Sequence, residues 1–320
     1  MAVVLVTGGA GFIGSHLTEA LVRTGHRVRV LDDLSSGTLV NLADVADDVE
    51  FLQGSVADAD AVARAMNQVE VVFHQAAIAS VPASVDDPIG SHAATATGTV
   101  VVLDQARRAG VKRVVFAASS ACYGDQPTLA KRETDPLAPL SPYAAAKVAS
   151  EFYLRAFWET YRLETVGLRY FNVFGPRQDP DSPYSAVIPI FLTRMLSGKA
   201  PVVYGDGQQS RDFTFVANVI QANLLAASVP GIGGRIFNVA NGASTSLLTL
   251  IDELNRLLGT DIRAEHAPPR VGDVRDSMAD ITMARRDLGY DPRIEFREGL
   301  ERSIDYYRWL VEQRAGRTKS

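Results

Sequence analysis

Val3-Val4-Leu5-Val6-Thr7-Gly8-Gly9-Ala10-Gly11-Phe12-Ile13-Gly14 joins a short apolar run to a helical pattern through spaced glycines. It opens as a short apolar run, mostly β-branched, which predicts a buried strand over Val3–Val6. It ends inside a pattern that predicts a helix over Phe12–Thr24. Between the two, Gly8, Gly11 and Gly14 let the chain turn sharply and bring its backbone close to an anion at the positive end of the helix. A glycine cluster alone says little, because turns collect glycine. Between a strand and a helix it predicts a dinucleotide site, with the pyrophosphate against Gly8, Gly11, Phe12, Ile13 and Gly14.

Working outward, Arg27–Leu31 reads as the second strand, and it ends in Leu31-Asp32-Asp33. A carboxylate at that tip accepts hydrogen bonds from ribose hydroxyls and repels a 2′-phosphate, which selects NAD over NADP. Asp32 is the ribose ligand in this reading, and Asp33 caps a turn. Asp58 is a candidate to face the adenine. Further strands are expected at Val49–Leu52, Val69–His74, Val111–Ala117 and Thr165–Tyr170. Helices are expected at Asp58–Met66, Ser84–Ala109 and Pro142–Tyr161. This alternation argues for an α/β doubly wound parallel sheet. The rhythm breaks near residue 172, where Phe174–Pro189 reads as an ordered loop. Shorter elements follow: helices Ala186–Leu196, Val216–Ala227, Leu247–Leu258 and Glu298–Glu312, and a strand Ile236–Val239. The expected organisation is a dinucleotide domain over 1–172 and a smaller α/β substrate lobe over 173–320, with some elements shared. Arg314–Ser320 is expected to fray.

Of the 320 residues, 47% are hydrophobic and 22% charged, with a net charge of -5 and both signs mixed. Nothing resembles the basic stripe of a nucleic-acid binder, and no apolar run approaches the ~20 residues that span a bilayer. Cys122 is the one cysteine, which fits a reducing compartment. The first residues lack a positive n-region and a cleavage signal. The expectation is a cytoplasmic protein without nucleic-acid or membrane partners.

Tyr143 and Lys147 stand four apart in Ser141-Pro142-Tyr143-Ala144-Ala145-Ala146-Lys147. Pro142 suits a first helical turn, and the spacing puts both side chains on one face. Tyrosine has an ordinary pKa of about 10, too high for a base at neutral pH. An adjacent ammonium and a positively charged nicotinamide would stabilise the phenolate. The pair gains weight from the dinucleotide motif before it and from Ser119-Ser120 at a strand end.

Thr-Gly-x-x-Gly-x-x-Gly at 7–14 with Tyr-x-x-x-Lys at 143–147 resembles the extended short-chain dehydrogenases, over nearly the whole chain. Within them the chain is similar to the UDP-sugar 4-epimerases, and looks like the bacterial UDP-N-acetylglucosamine 4-epimerases through His74-Gln75-Ala76-Ala77, Arg177-Gln178-Asp179-Pro180, Ser210-Arg211-Asp212-Phe213 and Gly272-Asp273-Val274-Arg275. The resemblance implies a Rossmann-type sheet, bound NAD and a UDP-sugar substrate. It implies Tyr143 as general base, with Lys147 as its partner on the nicotinamide ribose. Ser119 would lie on the sugar 4-hydroxyl, and Ala76 and Tyr170 near the cofactor. Asn172, Arg211 and Arg270 would grip the diphosphate, Asp273 the uridine ribose, and Ala186 and Val187 would border the uracil. Ala79, Ser80, Ser120, Gln178 and Ser277 would complete the sugar pocket.

The small Ser277 stands where a tyrosine in such enzymes excludes an N-acetyl group, so the resemblance implies UDP-GlcNAc/UDP-GalNAc as well as UDP-Glc/UDP-Gal. Arg177 leaves a case for UDP-glucuronate. Ser119-Ser120-Ala121 carries no carboxylic acid, which disfavours dehydration. A non-catalytic NAD-binding regulator is the reading from another class, and the intact Ser119, Tyr143 and Lys147 weigh against it. Two positions depart from the family: Thr95 replaces an asparagine, and Ala121 lacks a hydroxyl. Cys122 is expected to be a buried structural thiol, His74 to be structural, and no metal site is expected. A homodimer through the Ser84–Ala109 and Pro142–Tyr161 helices is implied, with Val100, Val101, Leu103, Phe152, Leu154 and Phe157 as interface or core.

Overall fold

The computed structural model describes residues 2–181, 186–269 and 275–317. In chain order the elements are β1 (Val3–Thr7), α1 (Phe12–Arg23), β2 (Arg27–Asp32), β3 (Val49–Gln53), α2 (Ala59–Ala65), β4 (Val71–His74), α3 (Val81–Asp86), α4 (Pro88–His92), α5 (Gly98–Arg108), β5 (Arg113–Ser119), β6 (Ala130–Lys131), α6 (Pro142–Tyr161) and β7 (Glu164–Tyr170). Then come β8 (Val173–Phe174), α7 (Val187–Leu196), β9 (Val202–Tyr204), β10 (Ser210–Arg211), β11 (Thr214–Phe215), α8 (Val216–Ser228), β12 (Arg235–Val239), β13 (Thr245–Ser246), α9 (Leu247–Leu258), β14 (Glu265–Ala267), β15 (Asp276–Ala279) and α10 (Phe296–Arg317).

Seven strands form the main sheet in the order β12-β7-β5-β4-β1-β2-β3, and every neighbouring pair is parallel. Alternate side chains leave opposite faces of a strand, and here both faces are covered. Val4 and Val6 enter one apolar cluster, with Leu17, Leu21, Val219 and Ala222. Leu5, Val114 and Phe116 enter the other, with Val62, Val102, Leu103 and Leu154. Two-sided burial explains why the strands read as continuous apolar runs. The sheet is doubly wound, as the alternation predicts.

Three expectations need correction, and one open choice is decided. The single helix over Ser84–Ala109 is three pieces. Pro88 has no N–H and restricts the residue before it, so the chain breaks at Asp87, whose carboxylate accepts the Gly90 N–H at 2.9 Å. A π turn over Ala93–Thr97 then precedes α5. Second, the loop regions hold short strands that periodicity does not show, above all a small sheet of order β13-β10-β15-β6. Two-residue strands carry no period to detect. Third, α10 continues through Arg317, past the expected fraying point, while 318–320 lie outside the described residues. The open choice between interface and core falls to core for Leu103, Leu154 and Phe157. The main sheet takes β12 from the second half of the chain, and the small sheet takes β6 from the first. We propose 1–172 and 173–320 as a functional division across that exchange.

Candidate active site

The turn after β1 is built for close approach. Gly8 has φ +68°, and a Cβ there would lie 2.7 Å from the Ala76 Cα. A Cβ on Gly14 would lie 2.0 Å from the Gly8 carbonyl oxygen. Gly11 is different: its Cβ would meet that same oxygen alone, at 3.3 Å. The chain's own packing therefore requires Gly8 and Gly14, while the open side of Gly11 suits a ligand. Gly11 is also the N-cap of α1 and brings no capping side chain, so the first-turn amides around Phe12 and Ile13 are available to an anion. This cradle fits a dinucleotide pyrophosphate.

At the tip of β2, Asp32 is buried and accepts two amides, from Ala10 at 2.9 Å and Leu34 at 2.8 Å. Burial raises its pKa above the usual carboxylate value, against the pull of those amides. Each oxygen retains a lone pair, so ribose ligation stays compatible with this role. Asp33 accepts from the Ser35 amide at 2.9 Å, a turn cap as expected. Asp58 is exposed and caps α2 through the Asp60 and Ala61 amides. Ala76 abuts the glycine turn, its amide on Thr7 Oγ1 at 3.3 Å. Tyr170 ends β7 beside Ser119. Its phenol is spent on Gln75 and Asn223, and burial pushes it up to about 12.

Ser119 ends β5, and Tyr143 and Lys147 lie on α6, whose start is set by the Ser141 cap on the Ala144 amide at 3.2 Å and by Pro142. Lys147 is buried and donates to the Ala117 carbonyl at 2.7 Å. Its ammonium stands 5.9 Å from the centre of the Tyr143 ring. Burial lowers Lys147 to about 8, and neighbouring Cys122 and Glu151 act against that shift. Burial raises half-buried Tyr143 to about 12, opposed by a hydrogen bond with Ser119. A tyrosine in that state needs positive charge nearby to act as a base.

Behind the pair, buried His74 sits between Thr7 Oγ1 at 2.7 Å and Thr99 Oγ1 at 3.1 Å. Burial and Lys147 depress it to about 3, so the ring is neutral. That is the structural role expected of it. Thr95, the departure from asparagine, lies in the π turn with a buried hydroxyl that has no partner among the described residues. Cys122 is fully buried and pushed up to about 12, chiefly by burial, which leaves an inert thiol.

Two cavities adjoin and share Asn172 and Arg211. The one of about 390 Å³ is an apolar slot that includes Ala186, Val187, Phe191, Tyr204 and Leu247. The one of about 340 Å³ has a wall of small residues, Ser120, Ala121, Ser141, Ala144 and Ser277. These include the immediate neighbours of Ser119 and Tyr143. Arg211 and Ser277 are register partners in β10 and β15. Asn172, at φ +33°, anchors its amide on the Asp212 carbonyl at 3.3 Å.

Other expected residues are not brought to this place. Ala79 and Ser80 line neither cavity; Ser80 caps α3 through the Ala83 amide at 3.1 Å. Gln178 holds the Val173 carbonyl at 3.1 Å, and its buried Oε1 has no partner among the described residues. Arg177 lines neither cavity and pairs instead with Glu19 at 2.8 Å and Asp44 at 3.6 Å. Arg270 and Asp273 lie outside the described residues. The sequence reading overlooked Asp212, which sits beside Arg211 and accepts the amides of Asn241, Gly242 and Ala279. It also overlooked Lys131 and Asp276 on the 340 Å³ cavity. Short loop strands assemble these groups, and only Asp212, inside the Ser210–Phe213 motif, carried a sequence signal. No group of three or more metal-ligating side chains converges, and no helix is long and apolar enough to cross a membrane, among the described residues.

A parallel doubly wound sheet with a glycine cradle, an acidic β2 tip and a Tyr-x-x-x-Lys helix defines a nicotinamide-dinucleotide enzyme of the short-chain dehydrogenase type. Residues 4–240 match the NAD dependent epimerase/dehydratase family, and the chain belongs to that family. It is 41% identical to the UDP-glucose 4-epimerase of Mycolicibacterium smegmatis, across 95% of this chain and 98% of that one. The structure of a UDP-N-acetylglucosamine 4-epimerase from Methanobrevibacter ruminantium, in complex with UDP-N-acetylmuramic acid, superposes with a TM-score of 0.92 at 38% identity, covering 98% and 99% of the two chains. The UDP-glucose 4-epimerase of Thermus thermophilus, in complex with NAD, gives 0.87 at 37% identity over 96% and 99%.

Proposed function

We propose that this NAD-dependent UDP-sugar 4-epimerase interconverts UDP-N-acetylglucosamine and UDP-N-acetylgalactosamine, and accepts UDP-glucose and UDP-galactose as well. The observation that carries the N-acetyl reading is the small Ser277 in the lining of the 340 Å³ cavity, which Ser120 and Ala121 also line. In this reading the larger slot takes the uridine, with Ala186 and Val187 beside the base, and Arg211 and Asn172 hold the diphosphate where the cavities meet. Arg270 and Asp273, outside the described residues, keep the roles the resemblance implies for them, on the diphosphate and on the uridine ribose.

Tyr143, as phenolate, takes the proton of the 4-hydroxyl, and Ser119 steadies that hydroxyl. Lys147 stabilises the phenolate. Bound NAD supplies the acceptor, and later the donor, of the hydride at carbon 4. The 4-keto sugar turns over while Arg211 and Asn172 keep its diphosphate in place, and Tyr143 returns the proton after the hydride arrives on the opposite face. Net redox change is zero, which supports a cofactor retained through turnover.

Proton NMR of the purified protein with UDP-N-acetylglucosamine, UDP-glucose or UDP-glucuronate, without added NAD, tests the reading. The expected result is conversion of the first two to their galacto epimers, with Ser277→Tyr abolishing the first and sparing the second. Turnover of UDP-glucose alone by the unmodified protein would remove the pocket argument, and turnover of UDP-glucuronate alone would replace the substrate. A homodimer is also proposed: α6 packs beside α3 and α4, and Val85, Ile89, Phe152 and Tyr153 are exposed on those helices. Sedimentation of Phe152→Glu as a monomer, against a dimeric parent, is the expected outcome.

A further inference from the structure

One turn beyond Lys147 on α6 stands Glu151, so Tyr143, Lys147 and Glu151 follow each other at i,i+4 spacing. Both oxygens of Glu151 are taken by Arg169, from Nε at 2.9 Å and from Nη2 at 2.7 Å. The two side chains are only 5% and 4% exposed. Arg169 lies on β7 opposite Ala118, the residue before Ser119. One ion pair thus ties the helix that carries Tyr143 and Lys147 to the strand beside the one that ends in Ser119.

Arg169 reaches further. Its Nη1 donates to the Tyr123 phenol at 2.7 Å, and its guanidinium lies 4.7 Å from the centre of that ring. Tyr123 donates to Asn238 Oδ1 at 2.7 Å. Asn238 in turn donates to the carbonyls of Lys131 at 2.9 Å and Asp280 at 3.2 Å. Lys131 belongs to the small sheet that carries Ser277, and Tyr123 and Lys131 line the sugar cavity.

A buried arginine–glutamate pair is weak evidence for stability, because desolvation offsets most of the attraction. Its place beneath the catalytic lysine points to another use. The ionisable groups around Lys147 are Tyr143 and Glu151 on its own helix, Cys122 from the turn after β5, and His74 from β4. Arg169 stands behind Glu151 from β7. The thiol and the imidazole are neutral, which leaves Glu151 as the carboxylate acting on a lysine whose bond is to a neutral carbonyl.

We infer that Glu151, anchored by Arg169, is a positioning residue for the epimerase reaction: it keeps a negative charge one turn below Lys147, while Tyr123 and Asn238 register the sugar wall to the same frame. The inference rests on the Tyr143–Lys147 reading above. Glu151→Gln keeps the shape and removes the charge. The alkaline limb of the kcat–pH profile should then move down by about one unit. At pH 8 the charged fraction of a lysine near 8 would fall from about a half to about a tenth, so kcat should drop about fivefold, with KM changed less than twofold. The double variant Glu151→Gln/Arg169→Gln leaves no unpaired buried charge and should show a smaller displacement in the same direction in a folded protein. A lowered melting temperature with the limb unmoved in both variants would reduce the pair to a structural brace and overturn the inference. Tyr143→Phe serves as the companion. Turnover surviving it removes the premise, whereas an inactive Tyr143→Phe with an unshifted Glu151→Gln profile overturns this inference alone.

Discussion

Gly14→Ala adds one methyl group, and the place it would take is already filled. The new carbon would lie 2.0 Å from the Gly8 carbonyl oxygen, 2.8 Å from the Gly8 carbonyl carbon and 2.9 Å from the Gly9 Cα. All three obstacles are backbone, so no side-chain rotation relieves them, and α1 must slide away from the turn by roughly 1 Å. Overpacking of that kind costs about 2–3 kcal/mol. A chain this long has an unfolding entropy of about 0.7 kcal/mol/K, so the melting temperature without cofactor should fall by about 3–4 °C. The slide also draws the amides at Phe12 and Ile13 away from the pyrophosphate, and NAD affinity should fall at least about tenfold, or 1.4 kcal/mol. Gly11→Ala is the control, because its methyl would meet only the Gly8 oxygen, at 3.3 Å. Its melting temperature without cofactor should stay within about 1 °C of the parent, while NAD binding weakens because the methyl points into ligand space. Thermal melts on cofactor-stripped protein and calorimetric titration with NAD measure both quantities. An unshifted melt for Gly14→Ala would refute the steric argument, and parental NAD affinity in Gly11→Ala would place the pyrophosphate elsewhere.

Three further outcomes follow from the site. Burial lowers Lys147 to about 8 from an ordinary 10.5, so the folded protein sheds this proton before the unfolded chain does. The burial cost is full below pH 8 and fades between 8 and 10.5. Stability relative to Lys147→Met should therefore rise across that window while turnover falls through its lower edge, and a flat stability difference would contradict the assignment. Asp212→Asn can accept through one atom only, which leaves part of the Asn241, Gly242 and Ala279 amide set unsatisfied at about 1–3 kcal/mol. A lower melting temperature and a raised KM for the UDP-sugar should follow, and an unchanged KM would free Arg211 from this support. Arg177→Ala removes the tie to Glu19 and loosens the 175–178 loop from α1, a loss of about 1–2 kcal/mol. The ratio of UDP-glucuronate to UDP-glucose turnover should not move; a selective loss of the uronate would return Arg177 to the sugar.

The parts legible in the chain are those encoded by local, repeated chemistry. A strand buried on both faces must be apolar throughout, so β1, β2, β4, β5 and β7 announced themselves within a residue or two. Gly8 and Gly14 were legible because left-handed backbone and sub-contact packing admit little else at those places. Tyr143 and Lys147 were legible because helical spacing converts a distance along the chain into a shared face. The break at Asp87 was visible in principle, since Pro88 marks it. The overall apolar pattern of Ser84–Ala109 outweighed that single residue.

The main sheet, the glycine turn after β1 and the helix carrying Tyr143 and Lys147 were therefore set by the sequence alone, because each is specified by residues within a few positions of one another. Tertiary structure alone decided what those elements meet. It sent Arg177 to Glu19, made Leu103, Leu154 and Phe157 core, and joined Arg211, Ser277 and Lys131 in one small sheet from three distant segments. It also set Arg169 against Glu151, one turn from Lys147. Such pairings depend on the register of strands and the docking of loops far apart in the chain. No local period records them, because the free energy that selects them arises only when the two sides are brought together.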